Sequence, residues 1–74
     1  MVHDFIPHKH YRQWSCEEAL LWLEQSVKLP QYRKNFEELA LDGIMIDFIT
    51  DADLENDLNI KVRLHRIRIM EAIK

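Results

Sequence analysis

An all-α fold is predicted for this chain of 74 residues from two features of its sequence. One glycine and two prolines are too few for the tight turns that a sheet of short strands needs. Two capping boxes mark helix starts, because Ser15 precedes Glu18 by three residues and Thr50 precedes Asp53 by three. The sequence therefore predicts one compact bundle of short helices.

Apolar residues recur at steps of three and four along most of the chain, which is the period of a helix with one buried face. This spacing predicts five helices, over residues 15–27, 30–40, 44–49, 50–58 and 62–73. The stretch 44–49 is as short as a strand, but a lone strand has no partner here, so helical turns are predicted. Gly43 is expected to end the second helix with a left-handed φ, and Asn59 to break the fourth.

The sequence also predicts how the two ends of the chain pack on the bundle. Residues 1–12 are predicted to be an irregular extension that packs on the bundle, because Phe5, Ile6 and Tyr11 are too apolar for a free tail. Residues 13–74 then form the folded domain. In the last helix, helical steps predict an inward face, and the bases are expected on its other side. The residues of that face are Leu64, Ile67, Met70 or Glu71, and Ile73.

Composition excludes several classes of protein. No apolar run approaches the roughly 20 residues of a membrane span, and the first residues lack the pattern of a signal peptide. The lone Cys16 does not fit the paired cysteines of a small secreted domain. An intracellular, cytoplasmic location is therefore expected.

An enzyme is not predicted. Cys16 stands at a helix start without a paired base, and a single glycine cannot build a phosphate-binding loop. His8 and His10 are too few ligands for a convincing metal site. No catalytic residue, cofactor or metal is expected, and the aromatic residues Trp14, Trp22, Tyr32 and Phe36 are assigned to the core.

Charge is segregated along the chain. Residues 37–57 hold eight carboxylates and no Lys or Arg, whereas residues 58–74 hold five bases and one acid. Two patches of opposite sign in one small domain allow identical copies to bind head to tail. The alternative is that both segments are solvated faces without a partner.

The order of several short motifs resembles the sterile alpha motif (SAM) domain. These motifs are Trp14-Ser15, Trp22-Leu23, Leu29-Pro30-Gln31-Tyr32 with Phe36, Leu41-Asp42-Gly43, Asp53-Leu54, Asp57-Leu58-Asn59-Ile60 and Leu64-His65-Arg66 with Ile69. Leu64-His65-Arg66 is similar to the variant in scaffold-type members such as the liprins. Asn59 and Leu64 replace glycines common in the family, and Leu20 and Leu21 stand at usually polar positions. Leu20 and Leu21 are expected to leave apolar surface that Phe5 and Ile6 cover.

This resemblance implies binding to other SAM domains, of this chain or another, through an acidic mid-loop surface and a basic end-helix surface. On the acidic surface it implicates Glu38, Asp42, Asp47, Asp51, Asp53 and Asp57. On the basic surface it implicates Lys61, Arg63 and Arg66, with His65 at the edge. Because exposed charge pairs are weak, the contact also needs an apolar centre, for which Ile44 and Met45 on the acidic surface and Val62 on the basic surface are the candidates. Asp51 and Asp53 also suit a first helical turn for dipole reasons alone, and His65 equally suits a hydrogen bond at the core edge.

Some members of the family bind RNA hairpins at the same end helix, which is the alternative function. Lys61, Arg63, Arg66 and Arg68 are the candidate phosphate contacts. No aromatic residue is predicted beside them for base stacking, and the acidic segment would repel a polyanion. Nucleic acid is therefore not the expected partner. Neither open polymers nor a heterodimer is favoured by the sequence.

Overall fold

The computed structural model describes residues 10–73, in which five α-helices enclose one core. They are α1 (Cys16–Trp22), α2 (Arg33–Glu38), α3 (Gly43–Phe48), α4 (Asp51–Asn56) and α5 (Arg63–Ile73). A π-helical turn, Leu23–Val27, extends α1, while 3-10 turns at Tyr11–Gln13 and Pro30–Tyr32 precede α1 and α2. Between residues 10 and 73 there is no strand, and the predicted five-helix all-α bundle is confirmed.

Both predicted capping boxes are present. The Glu18 amide donates to Ser15 Oγ over 3.2 Å, and the Ser15 amide donates to Glu18 Oε1 over 2.9 Å. Thr50 and Asp53 make the same pair of bonds, over 3.2 and 3.0 Å. Because each box satisfies two amides that have no partner inside the helix, α1 and α4 begin where the sequence predicts.

Gly43 does not have the left-handed φ that was predicted for it. The left-handed residue is Ala40, with a φ of 50°. The amide of Leu41 donates to the carbonyl of Phe36 over 3.2 Å, which is the long bond of a Schellman motif ending α2. Gly43 is the first residue of α3. A Cβ atom there would overlap the carbonyl oxygen of Tyr11, so close backbone packing requires the glycine.

The core is built from all five helices and their connections. Its least exposed large side chains are Phe36, Leu23, Leu54, Leu58, Ile60, Ile69 and Val27. Trp22 is buried with them, and Trp14 and Tyr32 pack partly buried against the cluster, as predicted. Leu20 is also buried and Leu21 is half-buried, while the residues expected to cover them, Phe5 and Ile6, lie outside the described part of the chain. The left-handed Asn59, with a φ of 59°, leads out of the α4 region.

The buried face of α5 agrees with the predicted one only in part. Met70 and Ile73 pack against the core as predicted. Leu64 and Ile67, however, are exposed, and Arg66 and Ile69 are buried instead. Apolar residues occupy several sides of this helix, and periodicity alone therefore could not choose between two adjacent faces. The long aliphatic stem of Arg66 completes the inner face.

Residues 1–9 and 74 lie outside the described residues, and with them the predicted packing of Phe5 and Ile6 and the histidine His8. Within residues 10–73, no helix has the length and apolar character required to cross a membrane. The same range contains no cluster of three or more His, Cys, Asp or Glu residues that could hold a metal ion.

Candidate protein-binding surfaces

An open groove of about 300 Å³ lies between the end of α2, α3 and α4. Apolar side chains form most of its lining. We call it the acidic groove because the two charged residues in that lining are both carboxylates. Its lining residues are Leu39, Leu41, Ile44, Met45, Phe48, Ile49, Asp53, Asp57 and Leu58. None of the groove-lining residues in the described part of the chain belongs to α5.

Four large apolar side chains of the groove are exposed to solvent. Phe48 is 70% exposed and Ile44 51%, and Met45 and Leu39 are also open. Ile44, Met45 and Phe48 are exposed because α3 is only six residues long and buries Ile46 alone of its large side chains. Leu39, at the end of α2, joins them in the groove lining. A contiguous apolar patch with polar residues at its rim is typical of a protein-binding site.

The predicted acidic residues divide into two groups. Four are engaged within the chain: Asp42 caps α3, Asp53 caps α4, Asp51 pairs with Arg66, and Asp47 contacts the N-terminal turn. The carboxylates of Glu38 and Asp57 are exposed and have no ion pair or hydrogen bond among residues 10–73. Asp57, which also lines the groove, is therefore the carboxylate best placed to meet a cation from outside.

The segment that enters α5 is basic and apolar, and we call residues 61–64 the basic turn. Val62 is 47% exposed and Leu64 69%. Arg63 is exposed and has no ion pair within the described residues, whereas Lys61 Nζ donates to the carbonyl of Glu55 over 3.2 Å. The basic turn thus presents a guanidinium that is unpaired among the described residues, with an exposed apolar residue on either side in the sequence.

Arg66 is not on this surface. It is 7% exposed, and its Nε donates to Asp51 Oδ1 over 2.9 Å. Its Nη1 donates to the carbonyls of Ile60 and Lys61 over 2.9 and 3.2 Å. The guanidinium therefore ties the start of α5 to α4. Arg68 also uses its guanidinium internally, since its Nε donates to the carbonyl of Val27 over 2.7 Å.

His65 lies at the edge of the core. Its Nδ1 is hydrogen-bonded to the hydroxyl of Tyr32 over 2.5 Å, and the two rings meet edge to face. Of the two roles left open by the sequence, this is the hydrogen-bonding one. It connects the turn before α2 with the first turn of α5.

Sequence reasoning missed three exposed apolar residues of these surfaces, namely Leu39, Phe48 and Leu64. For Phe48 a signal was present, since it follows Met45 by three residues and lies on the same side of α3. For Leu64 the spacing was misleading, because the same residue also fits an inward face of α5.

The N-terminal turn makes stability dependent on pH in the alkaline range. Tyr11 donates its hydroxyl to Asp47 Oδ1 over 2.6 Å, and this bond raises the pKa of Tyr11 above its ordinary value of 10.0. The folded protein therefore holds this proton at a pH where the unfolded chain loses it, and stability falls as pH rises past about 10. Urea unfolding at several pH values should show that the free energy of unfolding declines less steeply with pH in the Tyr11→Phe variant than in the wild-type domain. An equal decline in the two proteins would mean that Tyr11 is not the source of this pH dependence.

Comparison with known proteins agrees with this architecture. The sequence model of the SAM domain (sterile alpha motif) matches residues 12–74. The dual specificity protein kinase splA of Dictyostelium discoideum is 36% identical over 63 residues, which are 85% of this chain and 3% of the kinase. The NAD(+) hydrolase tir-1 of Caenorhabditis elegans is 23% identical across the whole chain, which spans 8% of that relative. Since the family match extends over most of the chain, this protein belongs to the sterile alpha motif family of protein-interaction modules.

Proposed function

We propose that this SAM domain binds a second SAM domain head to tail, placing the basic turn of one domain in the acidic groove of the other. The single observation that carries the proposal is the groove itself, with exposed Ile44, Met45 and Phe48 beside Asp57. Leu64 and Val62 of the partner supply matching apolar side chains. Arg63 supplies the opposite charge.

The apolar part of this contact provides most of its affinity. An exposed charge pair contributes only about 0.2–1 kcal/mol, so Arg63 and Asp57 mainly set orientation and partner choice. Burying the exposed apolar groups contributes roughly 25 cal/mol for each Å² removed from water. The proposed contact therefore has an apolar centre and a charged rim, as specific protein interfaces commonly do.

The two surfaces are formed by different elements, and the contact is therefore heterologous. Copies of one chain joined in this way form open polymers, because each new subunit presents another free groove. If the partner is the SAM domain of another protein, one contact gives a heterodimer. This domain requires no catalysis and no cofactor for either role. Arg66 and Arg68 donate to groups within the domain, and no observation favours RNA as the ligand.

Charge reversal at one surface at a time tests the proposal. Asp57→Lys and Arg63→Glu should each reduce the domain to a monomer in sedimentation velocity, because the reversal places two like charges against each other at the contact, which costs more than the loss of an attractive pair. Their mixture should form a one-to-one dimer through the intact surfaces. Asp57 is a better choice than Asp47, whose replacement would also break contacts with Tyr11 and Arg12. Association of the wild-type domain should weaken between about 0.05 M and about 0.5 M salt.

Lys34→Glu is the matched control for Arg63→Glu, because it makes the same change in net charge at an exposed residue of α2 outside both surfaces. It should assemble like the wild-type domain. Assemblies of wild-type size in either reversed variant would contradict the surface assignment. A wild-type domain that stays monomeric would exclude self-association, and binding to other SAM domains would then be measured with the same variants.

A further inference from the structure

Arg12 lies against the same helix that forms one side of the acidic groove. Its Nε is 3.3 Å from Asp47 Oδ2, and its guanidinium carbon is 5.6 Å from the centre of the Phe48 ring. Tyr11 donates to the other oxygen of Asp47. The turn Tyr11–Gln13 thus brings a cation of the chain itself onto α3.

These contacts remove one carboxylate from the surface. Both oxygens of Asp47 have partners, whereas Asp57 has none among residues 10–73. Phe48 is part of the groove lining, and Arg12 lies over its ring in a cation–π contact. The basic turn of a partner would likewise place its guanidinium beside a carboxylate and an apolar side chain of the groove. Arg12 therefore already makes the kind of contact that the partner would make.

We propose that Arg12 is an internal competitor that weakens the binding of a basic partner at the acidic groove. The inference rests on the proposed function, and it adds a regulation of that site. The side chain of Arg12 is 48% exposed, so water screens its pair with Asp47 and the guanidinium can leave at little cost. Arg12 therefore tunes the affinity without closing the groove.

Removal of this side chain should tighten the head-to-tail contact. The measurement uses a pair of domains, one with Arg63→Glu, which keeps its acidic groove, and one with Asp57→Lys, which keeps its basic turn. Arg12→Ala is added only to the first domain, and Kd is measured by isothermal titration calorimetry. We expect Kd to fall roughly two- to fivefold, the range that an exposed ion pair represents. The salt dependence of Kd should also steepen, because Asp47 then has lost its arginine and adds to the negative charge that the partner meets.

Arg33→Ala in the same domain is the matched control. It also removes one exposed arginine, which pairs with Glu24 and Glu37 away from the groove. Its Kd should equal that of the parent pair. Arg12→Gln keeps most of the side-chain length without the charge, and it replaces Arg12→Ala if circular dichroism shows that the alanine variant has lost its helices.

The outcomes separate this inference from the proposed function. A parent pair that dimerises with an unchanged or weaker Kd after Arg12→Ala would overturn the inference alone. Equal tightening by Arg12→Ala and Arg33→Ala would also overturn it, since net charge would then account for the effect. A parent pair that does not dimerise would overturn self-association through the acidic groove and the basic turn, and the inference with it.

Discussion

Replacing Gly43 with alanine is expected to lower the free energy of unfolding by about 3 kcal/mol or more. The new methyl carbon would overlap the carbonyl oxygen of Tyr11 and would stand 2.9 Å from the amide nitrogen of Trp14. Backbone atoms cannot rotate away, so the N-terminal turn must move off α3. That movement would stretch the hydrogen bond from the Gly43 amide to the Trp14 carbonyl, now 3.0 Å long. Urea unfolding followed by circular dichroism measures the loss.

The reverse exchange, Ala40→Gly, is the matched comparison, and it should raise the free energy of unfolding. Ala40 has a left-handed φ of 50°, which costs an alanine roughly 1–2 kcal/mol and a glycine almost nothing. Glycine also makes the unfolded chain more flexible, which lowers the stability of the folded state by about 0.4–1 kcal/mol and offsets part of this gain. The variant should therefore be about 0.5–1 kcal/mol more stable than the wild-type domain. If Gly43→Ala were neutral, or Ala40→Gly strongly destabilising, the two residues would not have the roles described above.

Arg66→Ala is expected to cost about 2–4 kcal/mol of stability, although the residue is a base at the start of a helix. The variant loses the ion pair with Asp51, leaves the carbonyls of Ile60 and Lys61 without their donor, and opens space beneath α5. Arg66→Lys should recover only part of the loss, because an ammonium lacks the planar fork that reaches three acceptors. Chemical unfolding of the purified variants measures both values.

Arg63→Ala, three residues earlier on the same helix, is the control for this experiment. Arg63 is exposed and unpaired among residues 10–73, so its removal should change stability by no more than about 0.5 kcal/mol. The two substitutions are thus expected to have different effects. Replacing Arg63 should weaken association, whereas replacing Arg66 should lower the stability of the fold. Equal stabilities for the two alanine variants would mean that the buried guanidinium contributes nothing to the fold.

Local sequence predicted the helices well because their starts depend on neighbours in the chain. Ser15 with Glu18 and Thr50 with Asp53 bond within four residues, and no other part of the molecule is needed to read them. The left-handed turn after α2 was harder to place. The pattern assigned it to the one glycine, but the left-handed residue is Ala40, three residues earlier, although an alanine is disfavoured in that conformation.

For the candidate surfaces, the sequence predicted exposure but not the internal contacts. The charge count marks an acidic and a basic segment, and the predicted apolar centre of the contact, Ile44, Met45 and Val62, is exposed. Which of the acids are free was not predictable, because Asp47 and Asp51 are engaged by Tyr11, Arg12 and Arg66 from distant parts of the chain. Those three partners lie 15 to 36 residues away in sequence.

The sequence by itself determined the all-α class, the helix starts, the family and the separation of charge, since each depends on composition or on residues a few positions apart. Only the tertiary structure decided which side of α5 is buried, why Gly43 cannot carry a side chain, and that Arg12 meets Asp47 and Phe48. These three features depend on contacts between segments that the fold brings together. A single sequence carries no local signal for such contacts.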